Sequence, residues 1–191
     1  MKKNNIIKIM GIDPGLNSTG ISIGHYDIDT GILTIVAFML IQANALAKQE
    51  LKQDSKKYGN IVSLDIYERE IDAIIEKYNP DYVCCEDAFF NPRMPNAFLS
   101  LKLCINSIKR LLYHKYQKIL YTIAPKAAKQ CVCTGTADKL AIQEAIHKLP
   151  DLIIKSTKKF NSDKMSEHEA DATGICYSHT KIFLPDLLLQ K

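Results

Sequence analysis

Three carboxylates and one imidazole stand in this chain where chemistry explains them better than packing does. Asp13 ends an apolar run, Ile6 to Ile12, and a sharp Pro14-Gly15 turn follows it. Glu86 ends a second apolar run, Tyr82-Val83-Cys84-Cys85. A buried acid with nothing to compensate its charge is costly, so a structural role for Glu86 is hard to find. Asp171 follows His168 by three residues in a helical pattern, and that spacing puts both on one helix face. Taken singly, Asp13 passes for a turn cap, Asp171 for a first-turn acid favoured by the helix dipole, and His168 for a surface histidine. Taken together, they describe a self-repelling cluster that needs a divalent cation. Oxygen donors suit Mg²⁺ or Mn²⁺, and an imidazole adds some preference for the softer ion. Two such ions, roughly 3.5–4 Å apart, activate a water and stabilise the leaving oxygen in phosphodiester cleavage.

The elements that must position these groups follow from periodicity and punctuation. Strands are expected over 6–13, 18–25 and 32–40, the last two joined through the turn-forming stretch from Tyr26 to Gly31. Residues 44–60 are polar and read as a loop. Leu64, Tyr67, Ile71, Ile75 and Tyr78 follow helical spacing over 61–78, and Asn79-Pro80 stops that helix. A continuously apolar strand over 82–88 has the pattern of a strand covered on both faces. An amphipathic helix follows over 96–113, then a short strand over 118–124 and a helix opened by Pro125. Further helices are expected over 137–148 and 167–180, with a basic loop over 150–165 between them. The order β-β-β-α-β-α-β-α-α-α predicts an α/β fold, a five-stranded mixed sheet with helices on both faces. Asp13 and Glu86 then end neighbouring parallel strands at the carboxyl edge of the sheet, where α/β sites form.

The 191 residues suit one domain, 1–191, with a core of its own. Hydrophobic residues are 47% and charged residues 24%, an ordinary globular composition. The net charge of +4 hints at a polyanionic partner, the more so if several acids are gathered in one site. No apolar run approaches the ~20 residues that cross a bilayer. The run after Lys2-Lys3 is too short and too interrupted for a signal peptide. Six cysteines without a Cys-x-x-Cys pair argue against a zinc site and read as the reduced thiols of a cytosolic protein.

Four blocks in order resemble those of the RuvC family of Holliday-junction resolvases, which have the RNase H-like fold. Gly11-Ile12-Asp13-Pro14-Gly15, with Thr19-Gly20 after it, is similar to the family's opening motif. Glu86-Asp87-Ala88-Phe89 resembles the second, an acid followed three residues later by an aromatic. Ala124-Pro125-Lys126-Ala127-Ala128-Lys129-Gln130 resembles the basic third block, and Glu167-His168-Glu169-Ala170-Asp171-Ala172 the last. The resemblance implies a metal-dependent, structure-selective endonuclease that resolves four-way DNA junctions by paired symmetric nicking, in recombination and repair. It implies catalytic and metal-holding roles for Asp13, Glu86, His168 and Asp171, with Mg²⁺ or Mn²⁺ as cofactor, two ions per site. It implies that Phe89 disrupts stacking at the junction centre, and that Lys126, Lys129 and Lys139 contact DNA. It also implies a cytoplasmic homodimer, in a bacterium or in a phage-infected host, paired through helix 96–113. It identifies no helicase partner and no cleavage sequence.

The chain departs from that pattern in three places. His168 stands where aspartate is common, the loop between Lys129 and Lys139 is short, and neither 42–60 nor Leu184 to Leu189 has a counterpart. The residues themselves leave some readings open. Phe89 or Phe90 must point inward, and core packing competes with a wedge role. Lys126, Lys129 and Lys139, like Lys155, Lys158, Lys159 and Lys164, also fit a solvated face. The apolar stripe of 96–113 faces either its own core or a twin subunit. A looser debranching nuclease of the same fold, cutting forks and flaps, is the near alternative. An actin-like ATPase needs a second phosphate loop that the chain lacks. A non-catalytic junction binder predicts a missing acid, and none is missing.

Overall fold

Alternation along the first strand divides the molecule into its two layers. In β1 (Ile6–Asp13), Ile7 and Ile9 pack into one core, while Met10 and Ile12 pack into another on the opposite face. The computed structural model describes residues 5–51, 55–155 and 165–189, with 55–60 and 139 described by backbone alone. β1, β2 (Thr19–Asp27) and β3 (Leu33–Ile41) form an antiparallel meander. β4 (Tyr82–Glu86) lies parallel to β1, and β5 (Leu120–Ile123) parallel to β4. β6 (Leu152–Ile154) runs parallel to β3, which gives the order β5-β4-β1-β2-β3-β6. The helices α1 (Ala43–Leu51), α2 (Ser55–Tyr78) and α3 (Pro95–Tyr116) cover one face. The other face carries α4 (Pro125–Val132), α5 (Lys139–Ile146), α6 (Glu167–Ile182) and α7 (Leu184–Leu189).

The mixed sheet with helices on both faces is as the pattern predicts, but it has six strands rather than five. β6 comes from the stretch read as a basic loop, and Lys158, Lys159 and Lys164 of that stretch lie outside the described residues. Three residues carry no alternation to read. What makes them a strand is the open edge of β3, where Leu33 donates its N–H to Asp151 and Lys155 donates to Ile35. The segment 44–60 is not a loop: α1 occupies 43–51 and α2 begins at Ser55. The buried face of α1 is Ala43 and Ala47, a spacing of four in residues too small to register as an apolar stripe. β4 stops at Glu86, two residues short of the expected end, because β5 offers its last pairing partner at Ile123.

The contact that positions the later half of the chain is between α6 and the first two strands. Gly11 of β1 faces α6 so closely that a Cβ there would lie 2.7 Å from the Cys176 backbone nitrogen. A Cβ at Gly20 of β2 would overlap the carbonyl group of His168. Backbone on both sides of these contacts leaves no flexible atom to give way. α6 meets the glycines with its own small residues, Ala170, Ala172, Thr173 and Cys176, all buried. Thr173 Oγ1 donates to the Glu169 carbonyl at 2.9 Å and meets Ser22 Oγ of β2 at 3.1 Å. Gly20→Ala is therefore expected to lift the first turn of α6 and to cost about 1–3 kcal/mol in urea denaturation. A loss below ~0.5 kcal/mol would mean that α6 does not bear on β2 at this point.

Candidate active site

The same alternation that builds the core delivers the acids. Asp13 continues the Ile7, Ile9, Gly11 face and so emerges on the side of α6. In β4, Val83 and Cys85 belong to the α1–α3 core, whereas Cys84 packs with Ile175 of α6. Glu86 therefore emerges on that side too. Ile12 and Cys85 are register partners in the parallel pair, which sets Asp13 and Glu86 at one level on adjacent strands. α6 starts where it must because Ser166 and Glu169 close a capping box. Its first turns then carry His168 and Asp171 over the strand ends.

His168 Nδ1 lies 2.6 Å from Asp13 Oδ2, and its Nε2 lies 3.6 Å from Glu167 Oε1. Burial, reinforced by the charges of Asp13 and Asp171, pushes the Glu86 carboxyl up to about 7, with Lys129 pulling the other way. Glu86 and Asp171 line a cleft of about 230 Å³ together with Lys129, Pro125 and Ala128, and Asp13 stands close enough to act on Glu86 by its charge. The site thus brings together all four residues singled out as catalytic. Among the described residues, no three His, Cys, Asp or Glu side chains form a group that would hold a metal ion as they stand. Like charges in one place oppose such a gathering until a cation neutralises them. Three carboxylates and an imidazole are the donors that Mg²⁺ or Mn²⁺ takes, and Glu86, raised by burial first, also feels the charges of Asp13 and Asp171, so the residues fit such an ion.

The basic and aromatic candidates fare unevenly. Lys129 reaches the cleft from α4, and its Nζ also donates to the Ala137 carbonyl at 3.1 Å. Lys126 is exposed on the same helix, its stem against Gly135, and does not line the cleft. Lys139 is the first residue of α5, and its side chain lies outside the described residues. Phe89 is 72% exposed, while Phe90 packs edge-on against Phe98 of α3 at 5.3 Å. The expected inward-pointing ring is not found: β4 ends at Glu86, before either phenylalanine, and Phe90 is itself 53% exposed, so both rings lie outside the core and only Phe90 has an aromatic partner among the described residues. Lys102 of α3 grips Asp87 at 2.9 Å and ties down the start of the same loop. Glu167 is a neighbour of His168 that motif reading passed over, although the Glu-His-Glu run was visible.

The family described as "Crossover junction endodeoxyribonuclease RuvC" matches residues 9–179. The RuvC of Alkaliphilus oremlandii (strain OhILAs) is 32% identical over 176 residues, 92% of this chain and 94% of that protein. The RuvC of Clostridioides difficile (strain 630) is 28% identical over 179 residues, 90% of each. Among solved structures, Thermus thermophilus RuvC in complex with a Holliday junction substrate superposes with a TM-score of 0.66. It is 15% identical and covers 91% of this chain and 92% of that one. The yeast mitochondrial Holliday junction resolvase Ydc2 also gives 0.66, at 13% identity, covering 97% of this chain and 85% of that one.

Two measurements probe this geometry. Glu86 in the folded protein keeps a proton that the unfolded chain releases near 4.5. Its contribution to stability is therefore present below 4.5 and is lost as the pH rises through about 7. In chelator, Glu86→Gln is expected to remove that loss, gaining on the order of 2 kcal/mol over the parent at pH 8 and little at pH 4. Equal stabilities at both pH values would remove the electrostatic conflict. Phe89→Ala is expected to change urea stability by under ~0.5 kcal/mol, and Phe90→Ala to lose about 1 kcal/mol through its ring pair. The reverse ranking would put Phe89 in the packing role.

Proposed function

The chain belongs to the RuvC family of crossover junction endodeoxyribonucleases, and on that footing we propose that Asp13, Glu86, His168 and Asp171 are the residues with which it cuts four-way DNA junctions. The observation that carries the assignment is the meeting of all four at one edge of the sheet, with Glu86 raised to about 7 by burial and, after it, by the charges of Asp13 and Asp171. No packing requirement explains two acids at the ends of adjacent buried strands. Membership implies dependence on a divalent cation. Such ions, when bound, supply water activation and stabilise the leaving oxygen. Asp13, Glu86, Asp171 and the imidazole of His168 would hold them, and this donor set suits two ions of Mg²⁺ or Mn²⁺.

The protein's own groups do the positioning. The Asp13 carboxylate, accepting from Nδ1–H across the 2.6 Å contact, orients the His168 ring. Lys129 puts positive charge into a cleft that would otherwise repel a phosphodiester. Lys126 and Lys139 would meet the backbone farther along the duplex. Phe89 stands clear of the fold on the β4–α3 loop, free to enter a stack of bases. The homodimer we propose would pair through α3, whose inner face is buried in its own core. Its outer face exposes Leu99, Leu103 and Tyr113, which supports a second contact surface. Among the described residues no helix is long and apolar enough to cross a membrane. A single nuclease domain, 1–191, working in the cytoplasm fits this reading.

The test is purified protein with end-labelled branched DNA in Mg²⁺ and in Mn²⁺. Paired nicks are expected at four-way junctions, with forks and flaps cut more slowly. Asp13→Asn is expected to lower cleavage by at least a hundredfold while retaining junction affinity, since phosphate binding comes from lysines. Near-normal cleavage by Asp13→Asn would displace the assigned site. Equal rates on forks and flaps would favour the looser debranching activity.

A further inference from the structure

A second cleft opens against His168. It measures about 450 Å³ and lies between the β1–β2 loop, the start of α1 and the first half of α3. Pro14, Leu16, Ala97 and Leu101 supply apolar walls. Asn17, Ser18, Asn44 and Ser100 supply neutral hydrogen-bonding groups. The described residues that line it include no Lys, Arg, Asp or Glu. This sets it apart from the cleft on the Glu86 side, where Lys129 stands ready for a phosphate.

Asn44 is tied to the loop that follows Asp13. Its backbone N–H donates to the Leu16 carbonyl at 3.0 Å, and its Nδ2 donates to Oδ1 of Asn17. Each carboxamide has two N–H donors and an acceptor oxygen. That one bond uses a single donor of Asn44 and one lone pair of Asn17, so both amides keep capacity for a third group. An uncharged hollow with oriented amides suits a nucleobase, because Asn presents a donor and an acceptor side by side to a base edge. A strand whose phosphate lies among Asp13, Glu86 and His168 must send its next nucleotide to one side or the other, and on this side it meets the amides.

We infer that this cleft takes a base next to the cut and that Asn17 and Asn44 read its edge, setting the base preference of cleavage. The inference rests on the nuclease reading above. Asn44 lies in α1, whose start forms one wall of the cleft.

A pool of four-way junctions randomised around the crossover, cut in Mn²⁺ and sequenced at the new ends, tests it. The wild type is expected to favour one base at one position beside the nick. Asn44→Ala and Asn17→Ala are each expected to reduce that preference about tenfold, with thermal melting as a check on the fold. Asn44→Asp, nearly the same shape, loses both amide donors and is expected to move the preference toward cytosine, which offers a donor. Lys129→Ala should slow all sequences alike, since a phosphate contact carries no base information. Variants that keep the wild-type ratios, or a wild type indifferent to bases beside its nick, would overturn the inference while leaving the nuclease intact. A wild type that cuts no junction removes the nuclease reading and this inference with it.

Discussion

Everything in the site depends on α6 lying directly on β1 and β2. Gly11 and Gly20 remove the side chains that would hold the helix away, and Ala172, Thr173 and Cys176 answer from the helix. Only at that distance does the first turn of α6 reach the ends of the strands, where Asp13 and Glu86 emerge. A helix held one methyl group higher would lengthen the 2.6 Å contact between His168 and Asp13. The steric constraint is thus also the one that assembles the proposed site. It explains why residues 155 positions apart in the chain, Asp13 and His168, share a 2.6 Å contact.

The electrostatic cost of that convergence is distributed rather than removed. Glu86 carries most of it, being partly buried and facing both Asp13 and Asp171. Lys129 relieves some of the repulsion from α4, and its bond to the Ala137 carbonyl fixes it against the loop that leads to α5. A divalent cation held by these donors would relieve the rest. Stability given up at such a cluster is a common accompaniment of function, since the groups are poised for a charge that arrives with the substrate or cofactor. The cleft at Glu86 and the cleft at His168 differ accordingly, one with a fixed positive charge and one with neutral amides.

The β4–α3 loop holds one aromatic clear of the fold. Phe90 rests against Phe98, and Asp87 is held by Lys102, whose ammonium also lies 5.7 Å from the Phe98 ring. These contacts anchor the loop at two points, and Phe89 is left outside both. α3 serves both sides, with Cys104, Ile105 and Ile108 in the core and Leu99 and Leu103 facing outward.

By itself the sequence determined the strands that end in Asp13 and Glu86, the helix that carries His168 and Asp171, and their relation as one site. Those signals are local: period two, period 3.6, and an acid stranded at the end of an apolar run. It also suggested that one phenylalanine of the Phe89-Phe90 pair turns inward. Tertiary structure decided otherwise: β4 ends at Glu86, both rings are exposed, and Phe98, eight residues farther on a different element, partners Phe90. It decided the sixth strand as well, since Leu152, Ile153 and Ile154 become a strand only beside the free edge of β3. And it decided α1, whose Ala43 and Ala47 show no stripe until the sheet and α2 bury them. Local spacing records which way a side chain points along its own element. Which element it meets is set by packing, and packing is a property of the whole chain.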